Sequence, residues 1–267
     1  MELAVNRNLL EGKVAIVSGV GPGVGRALAL AFAREGADLS LACRDVGHAE
    51  PIRAEVEALG RRAIVAACDV TKPEDRARLV EETERALGGI DVLVNNAFST
   101  GRIGPIEGMD VTRGWRSAFE VNVFGTMALS EAVIAPMKKR GGGSIVSINT
   151  LAARKRQPGL AGYGASKAAL LAATQSLAAE VGRHRIRVNT VVPSHIDGPN
   201  LAAMFRMEAA RRGVSEDVVR AEIVREGVLD HITTPEEVAN AVLFLASDLA
   251  SAITGQSIDV NCGQWFE

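Results

Sequence analysis

The stretch "KVAIVSGVGPGVGRALALAFAREG" (residues 13–36) joins an apolar run to a helical pattern through a turn rich in glycine. The run is apolar on both faces, as expected for a strand that is covered on both sides in a parallel sheet. The segment after the turn repeats apolar residues at helical spacing and ends at Gly36, a common residue at a helix terminus. The stretch is therefore predicted to form the first β–turn–α unit of an α/β domain.

The same alternation continues along the chain, with no internal repeat and no low-complexity linker. It predicts one doubly wound domain that spans residues 1–267. Ligands in such sheets bind beyond the carboxyl ends of the strands, so the loops there should share one crevice. The predicted strands are 13–19, 37–43, 61–70, 90–97, 143–150, 186–193 and 255–260; the predicted helices include 25–36, 72–89, 110–139, 162–182 and 234–247.

The turn "SGVGPGVG" carries glycine at positions 19, 21, 23 and 25. Glycine allows a tight turn and lets a pyrophosphate approach the backbone with no β-carbon in the way. The helix that follows would direct free N–H groups toward the phosphates. Many strand–helix turns contain glycine, so this motif alone indicates a dinucleotide site only weakly.

Bulk composition excludes several classes of partner. The net charge is −2 and the pI about 6.2, so no global basic field would hold nucleic acid or an anionic membrane. The three cysteines and four histidines are scattered, which predicts no metal site and no disulfide framework. The N-terminus lacks the apolar run of a signal peptide, and no run of apolar residues reaches the ~18 of a membrane span. A cytoplasmic location is expected.

The only tyrosine of the chain, Tyr163, lies four residues before Lys167 in a predicted helix. Residues four apart share a helix face, so the phenol and the ammonium are neighbours. A nearby positive charge favours phenolate and lowers the tyrosine pKa, which suits the pair to proton exchange with a substrate oxygen. The alternative is a packing tyrosine beside a solvated lysine, and the spacing alone does not exclude it.

Several further motifs occur with this pair in a fixed order, and the chain from about Lys13 to Gly263 resembles the short-chain dehydrogenase/reductase family. The resemblance implies a Rossmann-type domain with a seven-stranded parallel sheet, a nicotinamide cofactor, a secondary alcohol or carbonyl substrate, and a homotetramer or homodimer. The motifs that carry it are "SGVGPGVG", "CDV", "NNA", "VNVFGT", "SIVSINT", "YGASK", "IRVNTVVPS" and "ITGQSIDV".

The resemblance also implies roles for single residues. Tyr163 would be the acid/base, Lys167 would hold the ribose hydroxyls, and Asn122 would position a water in the proton relay. Asp69 would meet the adenine, and Asn95 would flank the cofactor. The implied cofactor-binding residues are Ser18, Gly19, Gly21, Gly23, Val24, Gly25, Arg44, Asp69, Val70, Asn95, Ala97, Tyr163, Lys167, Pro193, Ser194 and Ile196.

The chain departs from the family pattern at several positions. Thr150 stands where the family usually has a catalytic serine, and its hydroxyl can serve the same purpose. Ser147 is the rival candidate, although it should lie deeper in the strand. Phe98 replaces a glycine that the family usually has where the backbone runs beside the cofactor, and Ser194 replaces the glycine that usually follows the proline after the sixth strand. These changes leave the substrate less defined than the reaction.

The choice between NADP and NAD depends on the end of the second strand. Family members that use NAD tend to have an acid at the position of Cys43, and that acid is missing here. Arg44 follows and is placed to meet a 2′-phosphate. Two residues favour NAD instead. Asp45 lies where a looser spacing would place the acid that binds the ribose hydroxyls, and Pro22 occupies a position where family members that use NADP often have a basic residue. NADP is predicted, with NAD as the alternative.

Residues 199–231 are predicted to form a helical substrate lid of two amphipathic helices. Met204 and Phe205 are predicted to line a roomy, partly apolar pocket along with Phe98 and Thr150, or else the two lid residues pack the lid onto the body. The stretch "RKRQ", from Arg154 to Gln157, either attracts an acidic substrate or is a solvated loop or subunit contact.

Three functions remain open from the sequence. An NAD(P)-dependent alcohol dehydrogenase or carbonyl reductase accounts for the most residues. A cofactor-binding member with reduced or lost catalysis is the second reading. The third is a relative that performs epimerisation, dehydration or reductive biosynthesis on a carrier thioester.

Overall fold

A computed structural model describes residues 8–266 as alternating strands and helices. The expected lack of a signal peptide concerns the N-terminus, of which residues 1–7 lie outside the described range. The strands are β1 (Val14–Ser18), β2 (Asp38–Cys43), β3 (Ala63–Ala67), β4 (Val92–Asn95), β5 (Gly143–Ile148), β6 (Ile186–Pro193) and β7 (Ser257–Val260). The helices are α1 (Val24–Arg34), α2 (Glu50–Ala58), α3 (Pro73–Leu87), α4 (Val111–Phe119), α5 (Thr126–Ala132), α6 (Ile134–Lys139), α7 (Ala161–Val181), α8 (Pro199–Arg212), α9 (Glu216–Arg225) and α10 (Pro235–Ala246).

The seven strands form one sheet in the order β3-β2-β1-β4-β5-β6-β7, and every neighbouring pair is parallel. Strands β1 to β3 extend the sheet toward one edge, and strands β4 to β7 extend it toward the other edge. The switch point of the strand order therefore lies between β1 and β4. There Ser18 of β1 pairs with Asn95 of β4. The predicted doubly wound, seven-stranded fold is confirmed, and its switch point is the place where such sheets bind ligands.

Helices cover both faces of the sheet because each central strand is apolar on both sides. In β1, Val17 belongs to the hydrophobic cluster that contains α1, α2 and α10, whereas Ile16 belongs to the cluster on the opposite face with α3, α5, α6 and α7. Phe32 of α1 and Met137 of α6 are fully buried, one in each layer. The alternation that predicted the fold therefore reflects two separate cores.

The predicted helix over 110–139 is present, but it is not regular. Residues Glu120–Gly125 form a π-helical turn, and α5 ends at Ala132 before α6 begins. Gly125 fits there because a β-carbon would lie 2.8 Å from the carbonyl oxygen of Val70. By length and composition alone the stretch Val111–Lys139 is apolar enough to cross a membrane, which the count of consecutive apolar residues did not reveal. A core helix meets the same criterion, and this stretch packs against α3 and α7.

The segment 199–231, predicted as a substrate lid and called the lid here, contains the two predicted helices, α8 and α9. Leu201, Phe205 and Ala209 of α8 pack with Val219 of α9 in a small cluster separate from the two cores of the sheet. An ion pair between Arg220 and Asp197, 2.9 Å between nitrogen and oxygen, ties α9 to the segment that follows β6. The lid thus begins directly where the carboxyl end of the sheet opens.

Candidate active site

Two of the four glycines in the turn after β1 are required by close packing. Gly19 has φ +85°, and a β-carbon on it would lie 2.4 Å from the amide nitrogen of Ala97. A β-carbon on Gly25 would lie 2.7 Å from the carbonyl oxygen of Gly19. The same carbonyl accepts a hydrogen bond of 2.7 Å from the Asn96 side chain, a contact that the sequence analysis missed. Gly19 and Gly25 therefore lock the turn against β4 and α1.

The other two glycines face open space. A β-carbon on Gly21 or Gly23 would meet no atom within 4 Å. Gly23 is the N-cap of α1 and offers no side chain to its first-turn N–H groups. The Arg26 amide donates to the Gly21 carbonyl oxygen (2.9 Å), whereas the amides of Val24 and Gly25 have no acceptor within the helix and lie at the positive end of its dipole, which favours an anion. The turn thus fits the pyrophosphate of a dinucleotide, and Val24 and Ser18 border it on the helix and on β1.

The ends of β2 and β3 place Arg44 and Asp69 near each other. The backbone N–H and hydroxyl of Thr71 hydrogen-bond to Asp69 and hold the pKa of its carboxyl below the usual value, and the nearby Arg44 lowers it further. Arg44 is exposed, and its guanidinium makes no hydrogen bond or ion pair within residues 8–266. The Asp45 carboxylate instead accepts a hydrogen bond of 3.0 Å from the Gly47 amide and caps the next turn.

Tyr163 lies in the first turn of α7, with its ring against Phe98. The two ring centroids are 6.3 Å apart and the ring planes are tilted by 52°. Burial raises the pKa of Tyr163 to about 12, and a side-chain hydrogen bond with Thr150 acts in the opposite direction. The phenol is therefore protonated at neutral pH when only the groups of the chain act on it.

Lys167 lies one turn later on the same face, as the spacing predicted. It is 3% exposed, and its ammonium donates a hydrogen bond of 2.7 Å to the carbonyl oxygen of Ile148. Burial lowers its pKa to about 7. Burial thus favours the neutral form of both groups, and the lowering of the Tyr163 pKa expected from Lys167 together with an oxidised nicotinamide stays a prediction.

Thr150 follows β5 and supplies the hydroxyl beside Tyr163. Its amide donates to the side-chain oxygen of Asn149 (2.9 Å), and the Asn149 amide donates to the carbonyl oxygen of Lys167 (3.0 Å). Asn149 thus joins the end of β5 to α7, a role that the sequence analysis missed. Ser147 is fully buried within β5 and does not reach the crevice. The geometry therefore favours Thr150 over Ser147.

Asn122 is fully buried in the π-helical turn. Its side-chain oxygen accepts from the Ser99 amide (2.8 Å), and its NH₂ group donates to the Ser99 carbonyl (2.8 Å) and the Ser166 hydroxyl (2.9 Å). Ser166 in turn donates to the carbonyl oxygen of Tyr163. The Asn122 amide therefore joins the loop after β4 to α7; these contacts do not test the predicted role in positioning a water.

The remaining predicted cofactor residues lie at or after the carboxyl ends of β3, β4 and β6. Asn95 is buried, and its amide donates to the Ser130 hydroxyl of α5 (3.0 Å), so its side chain supports the crevice from below. Ala97 lies against the Gly19 turn, as described above. The others are Val70, which packs against Gly125, and the segment after β6 with Pro193, Ser194 and Ile196.

The predicted substrate residues are not all at the crevice. Phe98 is half exposed beside Tyr163, and Met204 is partly buried in the lid. Phe205 is 4% exposed inside the lid cluster, which favours the packing alternative for this residue.

The "RKRQ" cations are engaged within their own chain. Arg154 pairs with Asp259 of β7 at 2.8 Å, and Lys155 pairs with Glu226 at the end of α9 at 3.0 Å. Arg156 donates to the carbonyl oxygen of Ala153. The structure thus contradicts a loop of three free cations, because acids and carbonyls of the same subunit already satisfy them.

Comparisons with known proteins agree with this geometry. A family model described as enoyl-(acyl carrier protein) reductase matches residues 19–264. The chain is 32% identical to 7α-hydroxysteroid dehydrogenase of Escherichia coli K12 over 95% of this chain and 94% of that protein. It is 36% identical to dehydrogenase/reductase SDR family member 4 of Bos taurus over 96% of this chain and 88% of that protein.

Similar solved structures include 7α-hydroxysteroid dehydrogenase complexed with NADH and 7-oxo glycochenodeoxycholic acid. It has a TM-score of 0.86 and 30% identity, with full coverage of both chains. The structure of NAD⁺-bound xylitol dehydrogenase has a TM-score of 0.87 and 28% identity, and the match covers 94% of this chain and 98% of that one. The chain belongs to the short-chain dehydrogenase/reductase family.

Membership of the short-chain dehydrogenase/reductase family confirms the predicted reaction class. The chain is a nicotinamide-dependent oxidoreductase that acts on alcohol or carbonyl groups. Its crevice brings together the residues that such a reaction needs: a phenol, a hydroxyl beside it, a buried lysine and an open glycine turn.

Proposed function

We propose that this short-chain dehydrogenase/reductase is an NADP-preferring reductase or dehydrogenase of a ketone or secondary alcohol on an apolar skeleton. The observation that carries the cofactor preference is Arg44, which is exposed at the end of β2 and has no hydrogen bond or ion pair among residues 8–266. Asp45, the rival residue that would favour NAD, uses its carboxylate to cap the adjacent turn. A guanidinium suits a phosphate dianion through charge-assisted hydrogen bonds.

The proposed mechanism assigns each group in the crevice a task. Tyr163 exchanges a proton with the substrate oxygen, and its protonated form at neutral pH is the form that donates to a carbonyl. The Thr150 hydroxyl holds the same oxygen as charge develops on it. Lys167 would hold the ribose hydroxyls of the bound cofactor. When bound, the nicotinamide supplies or accepts the hydride.

The proposal that the substrate is apolar is based on exposed side chains in the loop after β4. Phe98, Ile103 and Ile106 are 52%, 63% and 52% exposed. This loop lies beside the approach to Tyr163, because the Gly104 amide donates to the carbonyl oxygen of Gly159 (3.0 Å). Exposed apolar side chains at the mouth of a site commonly mark a ligand surface. The bile-acid substrate named for one relative supports the same chemical class.

The cofactor preference is tested by titration of the protein with NADPH and NADH. Arg44→Ala should weaken NADPH by tenfold or more and leave NADH nearly unchanged, because charge-assisted bonds of about 1.5–3 kcal/mol are lost. Arg34→Ala is the matched control, since Arg34 is an exposed arginine at the opposite end of α1 from the glycine turn. A wild-type preference for NADH, or an equal loss of both cofactors in Arg44→Ala, would refute the assignment.

A carbonyl panel, followed at the nicotinamide absorbance, then tests catalysis. Turnover of cyclic ketones over small polar ones supports the proposed substrate class. Tight cofactor binding without turnover of any member would favour the cofactor-binding alternative. The homotetramer or homodimer and the cytoplasmic location stay predictions from the sequence.

A further inference from the structure

The link between β5 and α7 is a short, buried turn. It runs through Leu151–Ala153, all three residues at most 6% exposed, and begins at Thr150. The Ala153 amide donates to the Thr150 carbonyl (3.0 Å), and the Ala152 amide donates to the Thr150 hydroxyl (3.3 Å). On its other side the turn touches α7, where a β-carbon on Gly164 would lie 2.7 Å from the Ala152 carbonyl oxygen. Thr150 therefore moves with this turn.

Arg154 anchors the end of the same turn to the last strand. Its side chain is 6% exposed, and its guanidinium pairs with Asp259 (2.8 Å) and donates to the Ser257 hydroxyl. Both partners belong to β7, which is fixed to β6 by the sheet. The neighbouring Lys155 differs, because its ion pair with Glu226 is about 40% exposed on both sides and surface pairs of this kind contribute little.

We infer that Arg154 is a positioning residue that holds the Thr150 hydroxyl against Tyr163. The turn between Arg154 and Thr150 has three residues and internal hydrogen bonds, so it transmits a shift of one end to the other. A misplacement of about 1 Å can cost ~10²-fold in rate. The guanidinium of Arg154 contacts Ser257 and Asp259 of β7, so its effect on the reaction would pass through the turn to Thr150. The inference rests on the role proposed for Thr150.

The experiment compares Arg154→Ala, Thr150→Ala and the double variant by kcat, KM and cofactor Kd on the best substrate of the panel. Arg154→Ala should lower kcat by about 10- to 100-fold, with the cofactor Kd unchanged within about twofold. The double variant should be no slower than Thr150→Ala alone, because residues that act as a unit are not additive. Arg154→Lys should recover part of kcat, since it keeps the charge.

Arg140→Ala is the matched control. Arg140 pairs with the buried Asp91 at 3.0 Å, just before the central strand β4 and therefore at the amino ends of the strands, away from the crevice. It should lower the Tm without lowering kcat at a temperature where the variant is folded. If Arg154→Ala and Thr150→Ala multiply in the double variant, or if Arg140→Ala lowers kcat equally, Arg154 has only a structural role.

Two further outcomes separate this inference from the proposed function. Full activity in Thr150→Ala would overturn the role of Thr150, and with it this inference. Full activity in Arg154→Ala beside a slow Thr150→Ala would overturn the inference alone. If Arg154→Ala does not fold, Ser257→Ala, which removes the hydrogen bond between Arg154 and the Ser257 hydroxyl, takes its place.

A readout that needs no turnover uses the single tyrosine of the chain. The rise of phenolate absorbance with pH reports Tyr163 alone, with circular dichroism confirming that the protein is folded at each point. Thr150→Ala and Arg154→Ala should both shift this rise to higher pH, because both lose the hydrogen bond that lowers the Tyr163 pKa. A shift in Thr150→Ala but not in Arg154→Ala would contradict the inference.

Discussion

Alanine substitutions in the glycine turn should separate folding from cofactor binding within one motif. Gly19→Ala places a methyl group 2.4 Å from the nitrogen and 2.6 Å from the Cα of Ala97, at a residue with φ +85°. Backbone atoms on both sides cannot rotate away. Overpacking costs about 1–3 kcal/mol and the left-handed conformation about 1–2 kcal/mol more. The sum of about 2–5 kcal/mol corresponds to a fall in Tm of about 4–20 °C for a domain of this size.

Gly21→Ala should behave in the opposite way. Nothing lies within 4 Å of the new methyl group and φ is not positive, so the stability should change by less than about 0.5 kcal/mol. The methyl group would occupy the space by which a pyrophosphate approaches the backbone. Loss of one charge-assisted hydrogen bond, about 1.5–3 kcal/mol, weakens cofactor binding by tenfold or more.

The assay measures Tm without cofactor and the Kd for NADPH and NADH by nicotinamide fluorescence. Gly25→Ala is a second packing variant, with its clash at the Gly19 carbonyl oxygen. The expected result is a low Tm for the variants at positions 19 and 25, and a weak Kd with a normal Tm for the variant at position 21. A normal Tm for Gly19→Ala, or wild-type cofactor affinity for Gly21→Ala, would refute the division of the motif.

Three further predictions concern the reacting groups. Tyr163→Phe should lower kcat by about 10²–10⁴-fold with cofactor affinity unchanged, because only the proton path is lost; activity above a tenth of wild type would exclude Tyr163 as the acid. Thr150→Ser should be active and Thr150→Ala slow, and equal rates would mean that the hydroxyl is unused. Lys167→Met should abolish turnover yet stabilise the fold at pH 7, by at most ~5 kcal/mol at 1.36 kcal/mol per pKa unit. Burial lowers the Lys167 pKa from 10.5 to about 7, so the free energy of unfolding of the wild type should rise as the pH rises between those values. In urea unfolding, the greater stability of Lys167→Met should therefore disappear near pH 10.5. A difference in stability that does not change with pH would contradict the burial of the Lys167 charge.

Local periodicity explains why the sequence predicted the fold. The hydrophobic pattern of a strand that is covered on both faces, and that of a helix with one apolar stripe, can each be recognised within about ten residues. A chain in which such strands and helices alternate can adopt only a few topologies. The spacing of Tyr163 and Lys167 is local as well, because both lie on α7. The family resemblance added the roles of residues that no local pattern assigns.

The sequence by itself determined the order of the elements, the glycine turn and the Tyr163–Lys167 pair. The tertiary structure decided which glycines pack and which face open space, since Gly19 meets Ala97 in the loop that follows β4. It also decided that Arg154 is bound to Asp259, 105 residues away, rather than free at the mouth. The physical reason is range: backbone periodicity acts between near neighbours, whereas burial, steric contact and ion pairing depend on residues that only the folded chain brings together.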